Sequence, residues 1–121
     1  SGGMRMMTNQ YSLQALPKTT IAVQMLKDAR LPYIVVLTDP TSGGVSASFA
    51  MLGDITLSEP EALICFAGPS VIKNTLGEDL PEGFQTSEHV YKTGFIDQIV
   101  HRHDIRDKLA QIMSILLKRA A

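Results

Sequence analysis

The sequence is poor in the residues that build disulfides, metal centres and nucleic-acid interfaces. Only one of its 121 residues is a cysteine, and there is no tryptophan. Cys65 lies in the apolar run "ALICFA", which predicts a buried small hydrophobic residue in a reducing compartment, neither a disulfide partner nor a metal ligand. The formal net charge of -1 provides no basic surface for nucleic acid or an anionic membrane. The composition is that of an ordinary globular domain.

Long apolar runs and clusters of metal-binding residues are also missing. No stretch reaches the roughly 18 consecutive apolar residues of a transmembrane helix. The histidines at His89, His101 and His103 stand among polar residues, without ligand spacing to the cysteine or to a carboxylate cluster. We therefore expect them on the surface and expect no metal site in this sequence.

Helical and strand patterns alternate along the chain. The run "YIVVLT", at residues 33–38, is apolar and rich in β-branched residues, which predicts a strand covered on both faces. The clearest amphipathic helix is predicted at residues 104–119. This alternation favours an α/β fold with crossover connections. The other predicted elements are helices at 45–52, 70–76 and 86–93, with Thr86 or Ser87 as the N-cap of the last and Gly94 as its stop, two short strands within 54–68 around a turn at Glu59 and Pro60, a loop at 76–85, and a strand at 95–100.

The first predicted helix covers residues 4–30 and should break or bend near Pro17. Its apolar residues recur at mostly helical spacing, which predicts a face that packs on the core. They are Leu13, Leu16, Ile21, Val23, Met25 and Leu26.

Two adjacent glycines, Gly43 and Gly44, follow the first predicted strand and precede a helix. A phosphate-binding P-loop needs a Lys and a Ser or Thr after its last glycine, and here Val45 and Ser46 follow. A nucleophile elbow needs a glycine where this chain has Ser48, so a hydrolase built on Ser46 is only a remote alternative. The pattern excludes a nucleotide site of the P-loop type.

The glycines themselves then offer two interpretations. Without Cβ atoms they let a ligand approach the backbone closely, and their N–H groups at a helix start suit a developing oxyanion. The second interpretation is that the two glycines form only a tight turn and bind no ligand. Pattern alone leaves both interpretations open.

The string "LPYIVVLTDPTSGGVSASFAMLGDITLSEPEALICFAGP" resembles the β subunit of the bacterial and plastid multisubunit acetyl-CoA carboxylase carboxyltransferase. The resemblance continues through "SGGMRM" at the start and "LPEGFQTSEHVYKTGFIDQIVHR" near the end, and so covers essentially the whole chain. It implies a crotonase (ClpP/crotonase-like) α/β fold, a superhelix of ββα units. Residues 1–121 would form the C-terminal part of that domain, and the family's N-terminal zinc ribbon and first half of the domain would be absent from this sequence.

The resemblance implies transfer of a carboxyl group from carboxybiotin to acetyl-CoA, which gives malonyl-CoA, the first committed step of fatty acid synthesis. In the family a glycine pair holds the thioester enolate oxygen with backbone N–H groups, and a matching pair on the α subunit serves the biotin carbonyl. By this resemblance Gly43 and Gly44 are the catalytic residues. Those implied to contact the acyl-CoA substrate are Gly2, Gly3, Arg5, Phe66, Ala67 and Gly68, for each of which a purely structural role is an alternative.

The resemblance also implies partners and a location. These are a carboxyltransferase α subunit in an α2β2 assembly and a biotin carboxyl carrier protein, in the bacterial cytoplasm or, alternatively, the plastid stroma. Zinc is expected only in the absent ribbon. Two other functions stay open: a different acyl-CoA carboxyltransferase or decarboxylase of crotonase fold, and a non-catalytic segment that acts only in subunit assembly.

The chain departs from the usual family pattern near the expected site. Met4 and Met7 replace smaller or polar residues, and Ser70 stands where the family has an arginine. Losing that arginine puts in doubt any anion or partner contact it makes, for which Lys73, one turn further on, compensates only loosely. These departures indicate a divergent member in which the glycine pair is intact.

Overall fold

The structure is a computed structural model, and it describes residues 7, 9–67, 69–77 and 83–117. The described residues form five α-helices, three β-strands and two short 3₁₀ turns. The helices are α1 (Asn9–Asp28), α2 (Gly43–Ser46), α3 (Pro69–Leu76), α4 (Ser87–Lys92) and α5 (Ile105–Leu116); the strands are β1 (Ile34–Leu37), β2 (Ile55–Ser58) and β3 (Gln98–Ile99); the 3₁₀ turns are Phe49–Met51 and Arg102–Asp104.

The strands form one parallel sheet in the order β1-β2-β3. Val36 is the register partner of Leu57, and Leu57 is in turn the partner of Gln98. Parallel neighbours need crossover connections, so the predicted α/β class is confirmed. None of the described helices is long and apolar enough to cross a membrane.

Two strand predictions are longer than what forms. The strand predicted at 95–100 is reduced to β3, and the second strand predicted within 54–68 makes only single bridges, at Leu63 and Ile64. Ile64 bridges Thr41 in parallel orientation, and Leu63 bridges Thr86 in antiparallel orientation. The segment after β2 therefore pairs with irregular chain on both sides, which its own sequence could not indicate.

The hydrophobic core lies on one face of β1. Val35 and Leu37 are buried there, and Val36 between them is only half-buried. The prediction that this strand is covered on both faces is therefore wrong for β1, which lies at the edge of the described sheet. The central strand, β2, is covered on both faces, since three successive residues of it are buried. The core cluster comprises Val35, Leu37, Ala50, Ala62, Ile64 and Ile96.

The first helix continues through Pro17, so the predicted break is wrong, while the alternative, a bend near Pro17, stays a prediction. Its predicted apolar face is also only partly correct, because the six apolar residues fall on two sides of the helix. Val23 is buried, whereas Ile21 and Met25 are 61% and 67% exposed. Ile21 and Met25 are four residues apart and therefore lie on the same face of the helix. Val23 lies on a different face. One side of α1 packs on the 3₁₀ turn at Phe49–Met51, and the other is apolar and exposed.

The later helices agree with the sequence prediction. The Thr86 side chain accepts a hydrogen bond from the His89 N–H, and Gly94 follows the helix with φ +89°. Helix α5 begins after Asp104, whose side chain makes no capping hydrogen bond. The helix predicted at 45–52 is instead divided between α2 and the 3₁₀ turn at Phe49–Met51.

Glu88 ties α4 to the turn that follows β2. Its carboxylate oxygens accept hydrogen bonds from the Glu61 N–H, at 3.0 and 3.3 Å. Glu61 has a φ of +57°, a left-handed conformation that a non-glycine residue seldom adopts. The hydrogen bond from the Glu61 backbone lowers the pKa of the Glu88 carboxyl from its ordinary value of 4.5, and burial opposes this only in part.

We expect the free energy of unfolding of Glu88→Gln to depend less on pH in the acid range than that of the wild type. Because the pKa of Glu88 is lower in the folded state, its contribution is present above the unfolded-state value of 4.5 and is lost as the pH falls through the lower folded-state value. Urea unfolding between about pH 6 and pH 3 measures this. Asp107→Asn, which changes an exposed carboxylate on α5, is the control. Equal pH dependence in the wild type and Glu88→Gln would contradict the assigned role.

Candidate functional site

The glycine pair lies where the chain turns from β1 into α2. Gly43 has φ +59°, in the left-handed region that favours glycine, and Gly44 follows it in the first turn of α2. A Cβ on Gly44 would have Leu16 Cδ2 as its nearest neighbour, at 3.8 Å, which is ordinary contact. The turn thus requires a glycine at position 43 for its backbone conformation, whereas position 44 has room for a small side chain.

A central segment, residues 62–67, holds this turn in place. The Thr41 N–H donates to the Leu63 carbonyl at 2.8 Å, and the Cys65 N–H donates back to the Thr41 carbonyl at 3.0 Å. The Gly43 N–H then donates to the Phe66 carbonyl at 3.0 Å. The glycine turn is therefore the end of a short parallel ladder.

The far side of the central segment is bound to the chain before α4. The Ile64 N–H donates to the Gln85 carbonyl, and the Ser87 N–H donates to the Ala62 carbonyl, both at 2.8 Å. Ser87 is fully buried, and its hydroxyl accepts from the Ala62 N–H at 3.2 Å. The central segment is thus fixed from both sides, although it is not a regular strand.

Asp39 is a structural residue of the same ladder. Its Oδ1 accepts a hydrogen bond from the Leu63 N–H at 2.8 Å. In an Asx-type turn this side chain would accept a hydrogen bond from the amide two residues further on, here that of Thr41. The Thr41 N–H instead donates to the Leu63 carbonyl, so the carboxylate reaches across to a distant part of the chain. It stabilises the ladder and is committed to a backbone amide.

The two glycine amides differ in availability. The Gly43 N–H is already bonded to the Phe66 carbonyl. The Gly44 N–H lies in the first turn of α2, where amides have no acceptor within their own helix. Ser42 occupies the N-cap position, but its side chain makes no capping hydrogen bond. Of the pair, Gly44 therefore carries the amide that could donate to a ligand oxygen.

A mostly apolar cleft of about 430 Å³ lies beside α2. Phe66 connects it to the glycine turn, because this residue lines the cleft and its carbonyl accepts a hydrogen bond from the Gly43 N–H. Cys65 also lines the cleft; it is a buried free cysteine, as predicted, and burial raises the pKa of its thiol. The lining residues are Ser46, Ala47, Met51, Thr56, Ile64, Cys65, Phe66, Val90 and Phe95.

Ser46 lacks the surroundings of a catalytic nucleophile. It is buried, and its hydroxyl donates to the Cys65 carbonyl at 2.8 Å. All three histidines are exposed, as predicted. The His89 ring contacts Phe84, and the rings of the other two stack on each other. Within the described residues no hydrogen bond joins a histidine to Ser46, so nothing supports the hydrolase alternative.

The substitution Ser46→Ala distinguishes a catalytic serine nucleophile from a serine with a purely structural role. We expect a loss of stability of about 1–2 kcal/mol, because the buried Cys65 carbonyl loses its hydroxyl donor. If Ser46 has only this structural role, turnover should change by less than about tenfold, whereas removing the serine nucleophile of a triad costs about a millionfold. Urea unfolding and turnover measure the two effects. A collapse of turnover in a folded variant would favour the nucleophile.

Several predicted site residues lie outside the described residues, namely Gly2, Gly3, Arg5 and Gly68, together with Met4. Phe66 is at the cleft and 70% exposed, and the Ala67 carbonyl accepts a hydrogen bond from the Gln85 side chain. No group of three His, Cys, Asp or Glu side chains that could hold a metal ion occurs in the described part of the chain. Gln85 was missed by the sequence analysis, and its place in the motif "PEGFQ" gave no chemical signal.

Several curated relatives of this chain carry the same family name. A protein of Pelagibacter ubique (strain HTCC1062) is 60% identical over 118 residues, which are 98% of this chain and 38% of that protein. Proteins of Sinorhizobium medicae (strain WSM419) and Azorhizobium caulinodans are 60% and 56% identical, over 100% and 98% of this chain and 40% of each relative. All three are named acetyl-coenzyme A carboxylase carboxyl transferase subunit beta.

The chain spans about two fifths of the length of these curated relatives. No protein-family model matches it. Because the identity of 56–60% extends over 98–100% of the chain, the similarity is not confined to one motif. The chain therefore belongs, as a segment, to the family of acetyl-coenzyme A carboxylase carboxyl transferase β subunits.

Proposed function

We propose that this chain is the part of a carboxyltransferase that stabilises the acetyl-CoA enolate while a carboxyl group moves from carboxybiotin to give malonyl-CoA. The observation that carries this is the glycine turn, Gly43 in a left-handed conformation followed by an uncapped helix start at Gly44, in a chain of this family. The whole activity requires the remaining three fifths of such a protein.

The reaction places its main demand on the thioester oxygen. Carboxybiotin supplies carbon dioxide when its N–C bond breaks, and the electron pair left on the ureido nitrogen takes a proton from the acetyl methyl group. The methyl carbon then forms a bond to carbon dioxide, and negative charge resides on the thioester oxygen in between. A fixed N–H donor at that oxygen lowers the barrier, by about 3 kcal/mol for one donor.

In our proposal the Gly44 amide is that donor, and Gly43 sets its direction. The Gly43 N–H holds the turn to the Phe66 carbonyl, so it would join the oxyanion hole only if that bond opened. Because mostly apolar residues line the neighbouring cleft, the local dielectric constant is lower than that of water, which strengthens the interaction. No side-chain base is needed from this chain.

We propose the crotonase-type superhelix of ββα units as the fold of the complete domain, with residues 1–121 as its C-terminal part. Exposed apolar side chains on α1, among them Ile21 and Met25, support further chain or subunit packing on this segment. The proposed partners are a carboxyltransferase α subunit, which supplies the second glycine pair, and a biotin carboxyl carrier protein. The zinc ribbon would belong to the remaining part of the β subunit.

The test is the reverse reaction, carboxyl transfer from malonyl-CoA to biocytin, with a full-length β subunit containing this sequence and its α subunit. Turnover that needs both subunits would support the proposal. A folded, assembled complex with no turnover would contradict it.

A second arm uses methylmalonyl-CoA as the carboxyl donor. The cleft beside Phe66, about 430 Å³, has room for more than a methyl group, and this favours testing a larger acyl chain. A preference for methylmalonyl-CoA would identify a different acyl-CoA carboxyltransferase. The oxyanion chemistry at Gly44 would be the same in both.

A further inference from the structure

Gln85 holds the central segment, residues 62–67, by two separate contacts. Its backbone carbonyl accepts from the Ile64 N–H at 2.8 Å, and its side-chain Nε2 donates to the Ala67 carbonyl at 3.0 Å. Between these points lie Cys65 and Phe66, and it is the Phe66 carbonyl that accepts the Gly43 N–H. One residue thus fixes, from the far side, the stretch of backbone to which the glycine turn is bonded.

Two unfavourable features accompany these contacts. Gln85 has φ +63°, a left-handed conformation that is rare for a residue with a side chain. Its Oε1 is buried and has no hydrogen-bond partner among the described residues. Turning the carboxamide over would give no relief, because Oε1 would then face the Ala67 carbonyl oxygen. Buried polar atoms are seldom left unpaired, so the surrounding structure must hold this side chain in its orientation.

We propose that Gln85 is a positioning residue for carboxyl transfer. By fixing the Ala67 and Phe66 carbonyls it keeps the Gly43 turn in register, and with it the Gly44 amide that meets the thioester oxygen. The inference rests on the proposed function, which it deepens. Since Gln85 acts through the backbone of the turn, it affects the transition state more than substrate affinity.

The first test is Gln85→Met in the full-length β subunit assembled with its α subunit. Methionine keeps the length of the side chain and removes the donor to the Ala67 carbonyl. We expect kcat to fall by about tenfold, the loss of one hydrogen bond, while KM for malonyl-CoA changes by less than about twofold. The control is Gln24→Met, which removes an exposed hydrogen bond to Asp28 and should change neither constant.

A second variant, Gln85→Glu, provides a pH-dependent rescue. An ionised carboxylate has no donor and repels the Ala67 carbonyl oxygen, whereas the protonated carboxyl regains an O–H donor. The ratio of its kcat to that of the wild type should therefore rise as the pH is lowered, while the ratio for Gln85→Met stays constant. A purely structural contribution to folding would not produce this difference.

Amide hydrogen exchange provides a readout that does not depend on turnover. Loss of the Gln85 contact should accelerate exchange of the Gly43 N–H in Gln85→Met and leave it unchanged in Gln24→Met. If the wild-type complex has no turnover, the proposed function fails, and exchange alone decides the positioning contact. An active wild type with unchanged kcat in Gln85→Met, or unchanged exchange at Gly43, would overturn the inference.

Discussion

Replacing Gly43 with valine is expected to reduce kcat for carboxyl transfer by at least about a hundredfold, the effect of losing one oxyanion donor. At φ +59° a side chain costs about 1–2 kcal/mol, and a β-branched one is especially unfavourable there. The turn must reorganise, which breaks the bond to the Phe66 carbonyl and displaces the Gly44 amide. KM for malonyl-CoA should change much less, because the interaction strengthens in the transition state.

The control for backbone strain is Gly77→Val. Gly77 has φ +71°, and a Cβ there would meet no atom of the described residues within 4 Å, so the substitution imposes similar strain at the end of α3. We expect a comparable loss of stability with little change in turnover. If Gly43→Val were as active as Gly77→Val in the assembled enzyme, the glycine turn would have only a structural role.

Leu37→Ala should cause the largest loss of stability, about 3 kcal/mol. Leu37 is 1% exposed and belongs to the core cluster on the covered face of β1. Truncation removes buried apolar contacts and leaves a cavity that strand pairing with β2 prevents from closing. The free energy of unfolding, from urea titration monitored by circular dichroism, measures the effect.

The neighbouring residue gives a matched comparison. Val36 lies in the same strand but faces the other side of the sheet, where it is only half-buried. Val36→Ala should therefore cost about 1 kcal/mol, because less apolar surface is removed from contact. Equal losses for Leu37→Ala and Val36→Ala would show that both faces of β1 are covered, contrary to this structure.

The fold could be predicted where a signal is local. The β-branched run at 33–38 gave β1, Thr86 and Gly94 gave the limits of α4, and the apolar periodicity after Asp104 gave α5. The length of a strand, in contrast, has no local signal in the sequence. The segment at 95–100 has the residues of a strand, yet only Gln98–Ile99 pair with β2 as a strand, while the flanking Asp97 and Val100 each contribute one N–H hydrogen bond to a β2 carbonyl.

The glycine turn was predictable from the sequence, and its surroundings were not. Elimination of other chemistries, together with the family resemblance, singled out Gly43 and Gly44. The bond from the Gly43 N–H to the Phe66 carbonyl and the contact from Gln85 to the Ala67 carbonyl join residues far apart in sequence. Such contacts depend on the folded path of the chain, and the residue types involved do not predict them.

A chain that grows from its N-terminus contains both glycines well before the residues that hold them. Asp39 and Ser46 meet partners 24 and 19 residues further along, and Gln85 comes 18 residues after the carbonyl it binds. Contacts between distant residues form only once the intervening loop has closed, and folding during synthesis proceeds from the N-terminus. On the ribosome, α1 can form from its own local hydrogen bonds, whereas the glycine turn lacks the last of its supports until Gln85 has emerged.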